Sequence, residues 1–363
     1  MKKIVVLILS LLFLSGCGLL DFQKNQAQEK AVPDKEKKIV IYSSKSDELT
    51  NKVIGQFKKA YPDYQVEVYQ LGGGDVLNEL SANRKKPQVD LWWGGTPAEL
   101  MAGKKQNLFR PAPSDVADQI YDPYKDRDRY WLGEALYPQA FVTAKSSLGE
   151  DLPWQWESLV LGRHQDQLLF ISPESDVNYR VWLGAVMYRK GYFQTDDGEK
   201  WLLEVDGNTK EYFVDEKALM DRLVATPGLV TWMNLTDALA WRESKKYPVK
   251  IYLPIGSQPI PFTGVALIKE APHPQGAELF MNFLYSDAIQ GALIKEDYQI
   301  SARWNIPTSI RPDWYSEWEW SPQDLDWEWI AGTERKNIQL WQNRIQGKGV
   351  PRPQEEKRPL ENP

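Results

Sequence analysis

From residue 38 onward, short apolar runs alternate with stretches whose apolar residues recur every three or four positions. Lys38-Ile39-Val40-Ile41-Tyr42 reads as a strand that ends in the loop Ser43-Ser44-Lys45-Ser46. Leu49, Val53, Phe57 and Ala60 then share one helical face, with Ser46 as cap, Asp47 and Glu48 in the first turn and Pro62 beyond the end. The unit recurs. Gln65 to Leu71 predicts a second strand, broken by Gly72-Gly73-Gly74 and followed by a helix carrying Val76, Leu77 and Leu80. Val89 to Trp93 predicts a third, after which Gly94-Gly95 leads into Thr96-Pro97-Ala98-Glu99, a capping box with proline at the first helical position. Three successive strand-loop-helix units imply a parallel sheet with right-handed crossovers and all three loops on one edge. Trp92 and Trp93 alternate along their strand, so one is expected in the core and only the other toward that edge.

A second α/β segment starts near residue 141. Leu168 to Ile171 predicts a strand, and Ser172-Pro173-Glu174-Ser175 leads into a helix bearing Val177, Val181, Ala185 and Tyr188. Leu229 to Leu235 and Val249 to Leu253 read as strands, and between them Thr236-Asp237 opens a helix running to about Ser244. Gly264 to Ile268 is a further strand, and Ala277, Phe280, Met281 and Leu284 line a helix. Trp327, Ile330, Ile338, Trp341 and Ile345 form a late helical stripe, read as a clamp on the body, and residues 347–363 form a Pro- and charge-rich tail expected to be disordered.

The first residues change the compartment. Met1-Lys2-Lys3, an apolar run from Ile4 to Phe13 and the small residues Ser15-Gly16 make residues 1–16 a secretory signal, too short for a comfortable membrane span. Cys17, the sole cysteine, follows directly, and the arrangement resembles the bacterial lipobox, which implies an acylated (palmitate-bearing) Cys17 as first mature residue. Residues 17–37 then act as a lipidated, flexible tether that anchors the chain on the outer, periplasmic or cell-surface side of a membrane. A single cysteine excludes an internal disulfide. Loss of Lys2 and Lys3 takes the formal charge from −6 to −8, so nucleic acid is excluded as a partner. About 345 mature residues imply two domains at ~150 residues each. Sixteen Trp and seventeen Tyr suffice for a filled core with rings to spare for binding surfaces.

Several segments together resemble the bacterial extracellular solute-binding proteins of ATP-driven (ABC) importers, in the group that takes up ferric ion, phosphonates and sugar phosphates. They are Ile39 to Ser44, Phe57 to Pro62, Gly72 to Gly74, Val89 to Thr96 and Gly264 to Pro274, within a match from residue 38 to about 312. The resemblance implies an α/β, two-lobed type II periplasmic-binding-protein fold, each lobe a mostly parallel sheet flanked by helices, the two joined by two crossover strands. The outgoing crossover is expected near Tyr137 to Thr143 and the return near Pro261 to Leu267. Residues 38–140 plus 262–312 would form the first lobe, 141–261 the second, and 313–346 a C-terminal helical clamp.

In such sheets, ligands sit beyond the carboxyl ends of the strands. Gly73, Gly74 and Gly95 remove side chains so that backbone N–H groups can approach an anion at a helix start, and Ser43, Ser44 and Thr96 add hydroxyls. From the other lobe, the family's Ser-rich helix start matches Ser172 to Tyr179 and nominates Ser175, Asp176, Asn178 and Tyr179; Asn234, Thr236 and Asp237 would recognise hydroxyls or an amine. The bland readings are that the glycines make tight turns, that Thr96 only caps its helix, and that Lys45 is a solvated surface cation. Ferric-binding relatives typically use an adjacent tyrosine pair, and this chain contains no Tyr-Tyr; His164 and His273 are its only histidines. No metal ligand and no cofactor are therefore expected. The expected protein is a monomeric, non-enzymatic receptor for a small anionic solute such as a sugar phosphate or phosphonate, handed to ABC permease subunits. A neutral sugar or an amine is a variant of the same reading. The alternatives are a sensing module for a membrane kinase and an extracellular hydrolase using Glu317, Glu319, Asp324, Asp326 and Glu328.

Overall fold

A computed structural model describes residues 37–147, 154–188, 198–316, 321–322 and 325–349. The expected leader, Cys17, nearly all of the tether, the tail past residue 349, and Glu317, Glu319 and Asp324 lie outside the described residues. In chain order the principal elements are β1 (Lys38–Ser43), α1 (Asp47–Ala60), β2 (Gln65–Gln70), α2 (Gly73–Ala82), β3 (Leu91–Gly95), α3 (Pro97–Lys105), β4 (Phe109–Arg110), α4 (Ser114–Ala117), β5 (Leu132–Leu136) and β6 (Gln139–Ala144). There follow β7 (Leu168–Ile171), α5 (Val177–Met187), α6 (Gly198–Asn208), β8 (Thr209–Phe213), α7 (Glu216–Ala225), β9 (Val230–Asn234), α8 (Leu235–Leu239) and β10 (Val249–Tyr252). The chain ends with β11 (Ser257–Gln258), β12 (Phe262–Ile268), α9 (Pro274–Leu284), α10 (Asp287–Asp297), β13 (Ile300–Ser301), β14 (Ser321–Pro322) and α11 (Trp327–Leu340).

Two sheets give two lobes. The first runs β13-β5-β12-β3-β1-β2, with β4 also on β12; the second runs β10-β6-β9-β7-β8. β1 lies parallel to β2 and β3, and β7 lies parallel to β8 and β9, as repeated strand-helix units require, but β12 is antiparallel to β3, β4 and β5, β13 to β5, and β6 to β9 and β10, so each sheet is mixed where a mostly parallel one was expected. The chain leaves the first sheet at the end of β5, turns through Tyr137-Pro138 and enters the second sheet as β6. It returns through Gln258–Phe262 into β12. The two passages are tied together: Tyr137 N donates to Pro261 O (2.9 Å) and Gln139 N to Gln258 Oε1 (2.7 Å). They fall at the starts of the expected crossovers, whose remaining residues lie within β6 and β12.

Register places the loops. β12 is antiparallel to β3 and sets Gly264 beside Gly95; β6 is antiparallel to β9 and sets Gln139 beside Asn234. Because Gly264 and Gln139 both lie next to the crossover, the carboxyl ends of β1 and β3 in one lobe and of β7, β8 and β9 in the other converge on it.

The core explains two departures from the sequence reading. Trp92 and Trp93 are both fully buried, because β3 is central and both of its faces are covered: Trp92 packs on Phe109 of β4 (6.2 Å between ring centroids) and Trp93 on Phe280 of α9 (6.2 Å). Gly73 and Gly74 are not a loop but the first turn of α2, with Gly72 at its cap position and no side-chain cap. Elsewhere the local signals act as read: Ser46 accepts from Leu49 N, and Phe57 is buried against Phe280 and Phe283. α11 lies across both lobes, packed on α3 and α5. Ile330 fills the space over Gly184, where a Cβ would come within 2.7 Å of its Cγ2, and the Trp327 ring meets Phe262 of the returning crossover (5.3 Å). Beyond it Trp341 and Ile345 are fully buried, and the amides of Gly347 and Gly349 donate to Asp206 (2.8 and 2.6 Å), so the chain is held in place past 347, where the loose tail was expected to begin.

Candidate ligand-binding site

On the second lobe, the ends of β7, β8 and β9 and the starts of α5, α7 and α8 enclose a cavity of about 60 Å³. Its polar wall is Ser175, Asp176, Tyr179, Glu216, Asn234 and Asp237. Local sequence holds each one. Asp176 caps α5 through Asn178 N (2.7 Å) and Tyr179 N (3.4 Å). Asn234 caps α8 by accepting from Asp237 N (2.9 Å) while its amide donates to the Asp237 carboxylate. Tyr179 is buried, donates its hydroxyl to Trp232 O and has its pKa raised well above the ordinary range, chiefly by burial. Ser175 is exposed and donates to Ser172 O (2.9 Å). Asn178 is half-buried in the first turn of α5, next to the cavity residues. Thr236 turns away: its hydroxyl reaches Tyr298 O (3.1 Å) beside β13 of the other lobe.

Glu216 is the member that the sequence reading missed. It opens α7, whose signal was present in Asp215 as cap and in Leu219, Met220 and Leu223 at helical spacing. Burial raises its pKa first, with Asp176 and Asp215 adding repulsion, while a hydrogen bond from Trp241 Nε1 and the charge of Lys245 oppose it. Asp237 is pushed up to about 7, first by burial and then by Glu216, against the hydrogen bond from Asn234. Three carboxyl groups thus share one small recess as a wall of hydrogen-bond acceptors.

The first lobe is different. Ser44, Lys45, Ser46, Gln70 and Gly72 line an open depression of about 360 Å³ at the ends of β1 and β2. Ser44 Oγ donates to Leu71 O (2.9 Å) and accepts from Trp92 Nε1 (3.1 Å). Ser43 also borders this depression but is fully buried, and its hydroxyl is engaged by Thr50 Oγ1 (2.8 Å) and by Lys45 N, which donates to it (3.2 Å). Thr96 and Glu99 close the expected capping box: Thr96 N donates to Glu99 Oε2 (2.9 Å) and Glu99 N to Thr96 Oγ1 (3.4 Å). That carboxylate sits against Gly73, where a Cβ would lie 1.9 Å from Glu99 Oε1, and Gly95 is packed under Leu100 Cδ2 (2.9 Å from a Cβ). Close packing therefore accounts for both glycines, whereas Gly74 faces open space.

Lys45 is not a solvated surface cation. Its side chain is 6% exposed, and Nζ pairs with the buried Glu134 (2.7 Å) while donating to Thr263 Oγ1 (2.7 Å) and Tyr137 OH (3.4 Å). Glu134 also accepts from Gln299 Nε2 (2.8 Å). This network knits the β1 loop to both crossovers. Burial opposes the charge on Lys45, but Glu134 and Tyr137 outweigh it and raise the pKa.

Among the described residues, no group of three or more His, Cys, Asp or Glu is placed to hold a metal ion. His273 Nδ1 meets Asp90 Oδ2 (2.9 Å), which also accepts from Val40 N (2.7 Å), a structural bond at the start of α9. His164 is buried beside Trp154, and burial lowers its pKa to about 4. Of the carboxylates weighed for hydrolysis, Asp326 caps α11 through Trp329 N (2.9 Å).

Residues 98–315 match the family model of the bacterial extracellular solute-binding proteins. The chain belongs to that family. A probable ABC transporter periplasmic-binding protein of Sinorhizobium fredii is 24% identical over 168 residues, 44% of each chain. Among solved structures, the Trichodesmium protein IdiA (FutA), in complex with iron and citrate, superposes with a TM-score of 0.71 at 15% identity over 84% of this chain and 98% of that one. AfuA of Actinobacillus pleuropneumoniae, with fructose-6-phosphate bound, gives 0.65 at 20% identity over 85% and 99%. At these identities the structures establish the fold, a two-lobed periplasmic-binding-protein architecture.

Proposed function

We propose that this chain is the membrane-tethered, extracytoplasmic receptor of an ABC importer, which captures a small organic solute between its lobes and hands it to permease subunits without a catalytic step. The observation that carries this reading is the convergence of strand ends from both sheets on one pair of crossovers, which leaves facing walls at a hinge. In this reading residues 38–140 with 262–312 form one jaw, 141–261 the other, 313–346 brace them, and Cys17 carries the lipid anchor.

The walls narrow the expected solute. Neither depression offers an unpaired basic side chain, since Lys45 is held by Glu134. An anion recognised by side-chain charge alone is therefore disfavoured. A polyhydroxylated anion such as a sugar phosphate fits better: its hydroxyls donate to Asp176, Glu216, Asn234 and Asp237, and its anionic group faces the backbone at Gly72, the one glycine of the three that lines the first-lobe depression. The three clustered carboxyl groups favour one second reading, a solute bearing a primary amine.

Thermal-shift measurements on the soluble mature chain with fructose 6-phosphate, fructose, inorganic phosphate, spermidine and ferric citrate separate these readings, because a ligand of the native state raises its stability by mass action. The sugar phosphate is expected to give the largest shift. A larger shift from spermidine would establish the amine reading, and iron that survives dialysis at one per chain would overturn both.

A further inference from the structure

The long outer edge of the second lobe carries a feature that solute capture does not use. β10 is an edge strand: it pairs with β6 from Tyr252 beside Phe141 to Val249 beside Ala144, and among the described residues its other side has no strand neighbour in the sheet. Beside this edge runs an open groove of about 690 Å³ whose charged lining is Lys145, Arg242, Glu243, Lys246 and Lys250. Arg242 pairs with Glu243 (2.6 Å), whereas Lys145, Lys246 and Lys250 form no ion pair among the described residues. Three uncompensated cations in one recess stand out on a chain whose formal charge is −6. The groove runs from Lys145 along β10 to Tyr252, and none of its lining residues lines the recess of the second lobe.

Lysine on an edge strand ordinarily guards against pairing with another chain. Here the cations line a concavity, and a recess with a free strand edge suits an extended polypeptide rather than a flat bilayer surface. The chain's own ends do not complement it: residues 18–37 carry four acidic and four basic side chains, and residues 350–363 carry three of each. We propose that the free edge of β10 and its basic groove form a docking site for an acidic, extended segment of a second protein. Backbone pairing along β10 supplies geometry, and Lys145, Lys246 and Lys250 supply charge selection.

The probe is a short fluorescent peptide of alternating Glu and Val, titrated into the soluble mature chain at low salt and followed by anisotropy. A control peptide of equal charge carries prolines that forbid strand pairing. The alternating peptide is expected to bind at least about tenfold more tightly than the control, and K145E/K246E/K250E is expected to lose that binding while keeping its thermal midpoint. If the triple variant misfolds, the single variant K250E serves, with a several-fold loss expected. Equal binding of both peptides, binding undiminished in the variants, no binding, or a preference for phosphatidylglycerol vesicles over the peptide would each overturn the proposal.

Discussion

Both lobes bury carboxyl groups where their strands meet the crossovers, and they treat them in opposite ways. In the first lobe Glu134 is matched by Lys45 and Gln299, with Tyr137 and Thr263 completing the Lys45 shell. In the second, Asp176, Glu216 and Asp237 face one recess with hydrogen bonds from amides and an indole but, among the described residues, no salt-bridged cation; burial first and repulsion between the carboxyl groups second raise the pKa values of Glu216 and Asp237, and the charge of Lys245 only partly offsets this. A compensated charge marks a part of the scaffold. Uncompensated ones, held at the mouth of a cleft, are unfavourable until something donates to them, which is how a binding surface differs from a joint.

The largest effect should follow from breaking the compensated side. Lys45→Met leaves Glu134 buried without its counter-charge and is expected to cost about 3–5 kcal/mol in urea denaturation, with much of it recovered when Glu134→Gln is added. A neutral Lys45→Met would erase the distinction between the lobes. Gly73→Val should come next: its side chain displaces Glu99 from the capping box, at about 1–3 kcal/mol of stability.

On the uncompensated side, Asp237→Asn should leave folding intact but weaken the bound solute by ~5–150-fold, about 1–3 kcal/mol, in calorimetry. The same group also carries a pH dependence. Folding raises the Asp237 pKa from 3.8 to about 7, so the folded state holds its proton more tightly. Its contribution is fully present below about pH 4 and is lost as pH rises through about 7. Relative to Asp237→Asn, the wild type should therefore gain thermal stability on acidification through that window. A flat difference would mean that the recess is better solvated than its packing implies.

How much of this was legible in the sequence follows from the range of each interaction. Caps and periodicity are local, so Ser46, Thr96 with Glu99, and the apolar stripe of α11 could be read directly. The crossovers near Tyr137 and Pro261 came from a family resemblance, and the sheet register agrees with them. What escaped is set by partners remote in sequence. Nothing around Lys45 announces Glu134, and Trp93 is covered by Phe280 from a helix near the end of the first lobe. Glu216 reaches the recess only because β8 lies beside β7. Gly73 was singled out for backbone approach to a ligand, yet its environment is a carboxylate from the next unit.

The central claim is that solute is held between the lobes, and small-angle scattering of the soluble mature chain tests it most directly. With the solute that gives the largest thermal shift at saturation, the radius of gyration should fall, and Asp237→Asn should need more solute to reach the same contraction. Saturable binding with an unchanged radius of gyration, and with affinity untouched by Asp237→Asn, would contradict the account and place the solute on one lobe alone.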